Sequence, residues 1–174
     1  SLFNAITGAN LKVANYPGVT VERKEGHVTF GDCNFTLVDL PGTYALTCYT
    51  MEEIVTRREI LEGNVDIIVN VVDASNLERN LYLTLQLLEL GKPVVVALNM
   101  MDIVKERGLE IDLHRLPEML GAPVIPVSAR KRTGLPTLMH ALEHHCCNHT
   151  DRIDHHHHAV NQPHPHHEEY AIVY

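Results

Sequence analysis

Continuous apolar, β-branched runs recur along this chain, and each is followed by a stretch whose apolar residues return every three or four positions. The runs at 67–72, 94–98 and 124–127 lack the polar alternation of a half-solvated strand, so they read as parallel strands buried on both faces. The segments 28–30 and 35–38 flank the turn Gly31-Asp32-Cys33-Asn34 and read as an antiparallel hairpin. Helical spacing covers about 52–61, 77–90, 113–120 and 135–145, and the chain opens at Ser1 inside another helical pattern. The alternation predicts an α/β fold: a mostly parallel sheet with helices on both faces.

Past about His144 this patterning stops. All 13 histidines except His27, His114 and His140 fall in the remaining stretch: His144, His145, His149, His155, His156, His157, His158, His164, His166 and His167. The spacing predicts a domain over 1–147 and a His-rich linker over 148–174, with its last residues leading toward a further region. Together with Cys146 and Cys147, those imidazoles form a candidate weak, multi-site binder of transition metals, against the plainer reading of a solvated linker. The remaining cysteines, Cys33 and Cys48, are isolated, which fits neither a disulfide framework nor a CxxC zinc site.

A length of 174 residues with 45% hydrophobic content fits one globular domain. A net charge of −8, from 14 Lys and Arg against 22 Asp and Glu, argues against nucleic acid as a partner, since phosphates demand clustered cations. No apolar run approaches the about 18–20 residues that span a bilayer.

Candidate chemistry gathers where predicted strands end. Asn99-Met100-Met101-Asp102 follows the 94–98 run directly. A carboxylate fixed there accepts two hydrogen bonds from guanine N1–H and N2–H₂, a donor pair adenine lacks. Asn99 would tie this loop to a neighbouring phosphate loop, and Met100 would lie along the base by dispersion. Taken alone, the tetrapeptide reads more simply as a helix N-cap at Asp102. Asp39-Leu40-Pro41-Gly42 follows the 35–38 run: Asp39 could hold Mg²⁺ through water, and Gly42 lets a backbone N–H approach a γ-phosphate. Its plain alternative is a Pro-Gly turn. Gly18, Val19, Thr20, Val21 and Glu22 form a third segment, whose Thr20 hydroxyl could complete a Mg²⁺ shell. Ser128-Ala129-Arg130 is the fourth, with the Ala129 N–H directed to guanine O6. Order and placement carry the reading, because ligands of open α/β sheets bind at the carboxyl edge.

With NYPGVTVERKEG at 15–26, VDLPGTYAL at 38–46, NVVDASNLERNLYLTLQLLELGKPVVVALNMMDI at 70–103, and Met where most GTPases have Lys after the Asn, the chain from Ser1 to about Leu142 closely resembles the G domain of the bacterial ferrous iron transporter B family, within the small P-loop GTPases. The resemblance implies GTP and GDP as ligands, Mg²⁺ as cofactor and K⁺ as activator. It also implies a membrane permease in the same parent chain that carries Fe²⁺ across the bacterial inner membrane, with this segment on the cytoplasmic face, and a homo-oligomer is a further expectation. Thr43 stands where Ras-like enzymes keep a water-positioning Gln, so hydrolysis is expected to be slow. In the family GxxxxGK[ST] lies immediately ahead of SLFNAxTG, and these residues begin at the Ser. The expectation is therefore a sheet lacking its first, central strand and its phosphate loop, with GTPase activity belonging to the parent protein. Two alternatives stand beside it: another bacterial GTPase, of the ribosome-assembly or tRNA-modifying kind, and a His-rich metal-binding module.

Overall fold

The computed structural model describes residues 1–8, 11–153 and 168–173. Seven strands form one sheet in the order β1-β2-β3-β7-β4-β5-β6. β1 (Leu11–Asn15), β2 (Glu22–Phe30) and β3 (Cys33–Asp39) are antiparallel neighbours, whereas β7 (Glu168–Val173), β4 (Ile67–Asp73), β5 (Val94–Asn99) and β6 (Val124–Pro126) continue from β3 in parallel. The helices are α1 (Leu2–Thr7), α2 (Met51–Glu62), α3 (Leu77–Glu89), α4 (Met101–Glu106), α5 (Arg115–Leu120) and α6 (Leu135–Ile153).

Both faces of the sheet are covered, as the unbroken apolar runs demand. One core packs Val55 and Ile60 of α2 and Leu83 and Leu87 of α3 against Ile68, Val72, Val96 and Leu98. The other packs Leu2 and Phe3 of α1 and Leu138 and Leu142 of α6 against Phe35, Leu37, Val69 and Val95. One polar group interrupts β4: Asn70 is 1% exposed, and its side-chain oxygen accepts the hydroxyl proton of the equally buried Thr84 on α3. Buried polar atoms keep partners because desolvation without one is costly.

Two features differ from the sequence reading. The chain's C-terminal segment, read as part of a linker, forms the central strand β7, so the centre of the sheet is not left open. Its residues Glu168–Val173 pair in register with 34–39 of β3, and Ala171–Val173 pair with 67–69 of β4. The physical reason lies in β3 and β4: two buried strands facing a gap would each leave a row of backbone groups unsatisfied, which a parallel strand repairs. Helix α6 also runs on to Ile153, carrying the backbone of His144, His145, Cys146, Cys147 and His149 beyond the expected boundary. After Pro136, tolerated in a first turn, no Gly or Pro stops it. His155, His156, His157, His158, His164, His166 and His167 lie outside the described residues. Among the described residues no cluster of metal-ligating side chains occurs, and no helix is long and apolar enough to cross a membrane.

Deleting residues 168–174 should strip the facing edges of β3 and β4. At about 0.5–1.5 kcal/mol net for each backbone hydrogen bond, the loss should reach roughly 3 kcal/mol or more. Urea unfolding would register it as a lower midpoint. A truncated chain with an unchanged midpoint would contradict the central position of β7.

Candidate functional site

Parallel registration brings the ends of β3, β4, β5 and β6 to one edge of the sheet. Asp73 at the end of β4 pairs with Asn99 at the end of β5, and Leu98 pairs with Pro126 of β6. The Val127 N–H donates to Leu98 O at 2.8 Å, and the Met101 N–H reaches Val127 O at 3.4 Å, so the loops leaving β5 and β6 are bound together.

Side chains tighten that junction. Asn99 Oδ1 accepts the Ala129 N–H at 3.0 Å, and Ser128 Oγ donates to Asp102 Oδ1 at 3.1 Å. Ser128 Oγ in turn accepts the Lys131 N–H at 3.2 Å. The backbones of Ser128 and Thr133 exchange hydrogen bonds of 3.0 and 3.1 Å, closing the loop. Gly134 then takes a φ of +77°, and a Cβ there would strike Pro126 O; only glycine fits. Met100, between Asn99 and Asp102, holds a left-handed φ of 63° and leaves its side chain 42% exposed. Such a conformation is costly for a non-glycine residue and persists where the surroundings impose it.

Two roles are distributed differently from the sequence reading. Asn99 braces the Ala129 segment, and the Ala129 N–H, read as a donor to guanine O6, is engaged by Asn99. Asp102 lies in the first turn of α4. Desolvation pushes its carboxyl pKa upward, but the Ser128 hydroxyl, backbone N–H groups and Arg130 prevail and hold it below the ordinary carboxylate value. Arg130 Nε lies 3.5 Å from Asp102 Oδ2.

Asp39 ends β3 half-buried. Burial raises its carboxyl above the ordinary value, and Lys24 together with the Ser1 α-amino group only partly opposes this. A desolvated carboxylate of this kind is one that a cation would stabilise, so the oxygen donors fit Mg²⁺. Leu40 is buried, and Gly42 faces open space on the side where a Cβ would project. The 16–21 turn is closed by the Tyr16 N–H to Val21 O at 2.9 Å and the Val19 N–H to Tyr16 O at 3.2 Å, with Gly18 at a φ of +76° and Thr20 exposed. The Thr43 hydroxyl donates to Ala45 O at 2.8 Å, within its own loop.

Several contacts that shape this edge join residues too distant in sequence to be foreseen. Arg23 bonds Glu59 at 3.3 Å, tying β2 to α2. The Leu46 N–H donates to Gln86 Oε1 at 2.8 Å, and Arg79 lies 3.8 Å above the Tyr44 ring, so the segment after Gly42 is held to α3. Glu106 of α4 reaches Arg130 and Lys131. Charge near a loop was the available signal, but it does not name partners. Of the tyrosines in these loops, Tyr16 is buried and Tyr44 carries Arg79 over its ring, whereas Tyr49 is 89% exposed.

A mainly parallel sheet clad on both faces, with DLPG, NMMD and SAR loops at its carboxyl edge, has the architecture of a G domain of the P-loop GTPase class. The family profile of ferrous iron transport protein B matches residues 1–142, and the chain belongs to that family. It is 51% identical over 152 residues to the Fe(2+) transporter FeoB of Salmonella typhimurium, covering 85% of this chain and 20% of that protein. With the Legionella pneumophila (strain Paris) protein of the same name it is 49% identical over 148 residues, covering 83% and 20%. The chain thus spans about a fifth of the length of these curated relatives. Among solved structures, the cytosolic domain of L. pneumophila FeoB superposes with a TM-score of 0.80 at 50% identity, over 83% of this chain and 57% of that one. The G domain of Methanococcus jannaschii FeoB gives 0.74 at 44% identity, over 83% and 86%.

Because Asp39 is held above its ordinary pKa, ionising it opposes folding. That cost is absent below the unfolded-state value and complete above the folded-state value, so it destabilises the chain at neutral pH. Asp39→Asn should therefore raise the neutral-pH melting temperature and flatten its fall across that interval. Thermal unfolding from about pH 4 to about pH 8 checks this; an Asn variant that melts lower at neutral pH would contradict it.

Proposed function

We propose that this chain is the guanine-nucleotide-reading part of a ferrous iron transporter, and that nucleotide state there regulates Fe²⁺ passage through a permease in the same parent protein. The observation that carries the reading is Asp102, ionised, braced by Ser128 and set at the carboxyl end of a buried strand. Both carboxylate oxygens can serve guanine N1–H and N2–H₂. Adenine offers no such donor pair. Asn99 fixes the Ala129–Arg130 segment beside it, and exposed Met100 supplies an apolar surface for the base.

Asp39 and Thr20 would hold Mg²⁺, which when bound supplies charge neutralisation for the phosphates. Gly18, Val19, Val21 and Glu22 accompany Thr20, and Leu40, Pro41, Gly42 and Met101 complete the nucleotide segment. Val173 of β7 pairs with Asp39, and the Ser1 α-amino group acts on the same carboxylate. A glycine-rich phosphate loop joined ahead of Ser1 would therefore lie beside the metal position, where backbone N–H groups grip phosphate. Hydrolysis is slow in this reading, because the Thr43 hydroxyl is spent on its own loop. K⁺ activation, self-association and a place on the cytoplasmic face of the inner membrane belong to the same proposal, supported by the family. Weak metal binding by the His-rich segment is a separate part of it, resting on composition.

With the family's strand and phosphate loop joined ahead of Ser1 and residues 168–174, whose strand β7 holds the central position of the sheet, removed, Asp102→Asn should shift preference from guanine to xanthine nucleotides, since the amide presents a donor to the altered purine edge. A competition assay reads the shift, and a variant that keeps its guanine preference sinks the assignment. In the same protein, Thr20→Ala should weaken Mg²⁺-dependent binding of a GTP analogue more than that of GDP, because Thr20 meets the metal only in the triphosphate state. Identical losses in calorimetric titration would remove Thr20 from that role.

A further inference from the structure

Asp102 carries base selectivity, yet one of its oxygens is closed off. Oδ1 accepts from Ser128, whereas Oδ2 is shielded from solvent and has no hydrogen-bond partner. The whole side chain is only 5% exposed. Arg130 is the charged group over it: Nε lies 3.5 Å from Oδ2 while the arginine side chain remains 69% exposed. At that distance, without hydrogen-bond alignment, the contact is electrostatic and readily reversed.

A second carboxylate pulls on the same guanidinium. Glu106, at the end of α4, lies 3.8 Å from Arg130 Nη2 and 3.9 Å from Lys131 Nζ, and all three side chains are more than half exposed. Arg130 thus bridges a buried carboxylate that needs a donor and an exposed one that water already satisfies. The arginine gains little from holding Asp102, and Asp102 gains a neutralising charge while the base position is empty.

We propose that Arg130 is a gate over the base-reading carboxylate: it lies across Asp102 Oδ2 in the empty site and swings toward Glu106 when guanine N–H donors take that oxygen. This rests on the guanine reading above and adds what neutralises the reading oxygen while no guanine is bound. A base without an N–H pair cannot replace the arginine at Oδ2, so it leaves the gate shut. Guanine replaces an unaligned ion pair with aligned hydrogen bonds. Because only the open fraction binds, apparent affinity falls by that fraction, and for an unaligned pair whose arginine stands mostly in solvent the factor is about two- to fivefold.

The test uses the 174-residue chain with GMP and AMP as probes, since base-edge contacts do not depend on a phosphate loop. Arg130→Met keeps an apolar stem and removes the charge. It should tighten GMP binding about two- to fivefold, leave AMP unchanged, and move the Asp102 carboxyl titration, followed by carbon NMR, up toward its ordinary value. Arg130→Lys should restore the lowered titration in part, and Glu106→Gln should weaken GMP binding, because the open position loses its counter-charge. An Asp102 titration that Arg130→Met does not move overturns the gate. GMP binding that weakens in Arg130→Met also overturns it, making Arg130 a holder of the base. If the wild type and Asp102→Asn both bind GMP and AMP alike, the guanine reading fails, and the gate fails with it.

Discussion

Backbone hydrogen bonds between parallel strands buried on both faces are the constraint from which the rest of this domain follows. Residues 67–69 of β4 and 94–98 of β5 are screened from water by helices on either side, so their N–H and C=O groups must be met by neighbouring strands. Register then leaves no freedom at the strand ends: once Ile68 is opposite Val94, Asp73 must lie opposite Asn99. The same demand draws a sixth-from-last residue such as Glu169 into the middle of the sheet, where β3 and β4 would otherwise face a gap.

What the edge then does depends on short-range chemistry with almost no slack. Asn99, Ala129, Ser128 and Asp102 form two crossed ties between loops from adjacent strands, each of 3.0 or 3.1 Å. The ties fix a carboxylate in its ionised form and impose a left-handed backbone at Met100. Asp39 has the opposite electrostatics, burial without adequate compensation. Fixed, compensated charge suits recognition of neutral N–H donors, whereas uncompensated charge suits a cation. The two carboxylates at one edge are thereby suited to different ligands.

Much of this was legible in the sequence because strong patterns carried it. The runs at 67–72 and 94–98 have no polar break except Asn70, and the motifs abut them. β1 escaped notice because Leu11-Lys12-Val13-Ala14-Asn15 is short, and most of it is exposed. Its pairing with 22–26 of β2 shapes it more than its own pattern does. Helix α4 was hidden by its motif: Met101–Glu106 is less than two turns long, and its first residues read as a base loop. β7 was unreadable in principle, since Glu168–Val173 follows a polar, His-rich stretch and its place depends on an opening between strands more than 90 residues earlier. Arg130 was legible as part of a motif, but its position over Asp102 is set by the pairing of two strands and not by local sequence.

Base discrimination is the central claim, and competition among GDP, IDP and ADP for the protein with its phosphate loop in place tests it most directly. IDP keeps N1–H but lacks the N2 amine, so the account predicts GDP binding tighter than IDP by roughly one hydrogen bond to a charged group, about tenfold or more, with ADP weaker than both. Equal affinities for the three would contradict the account.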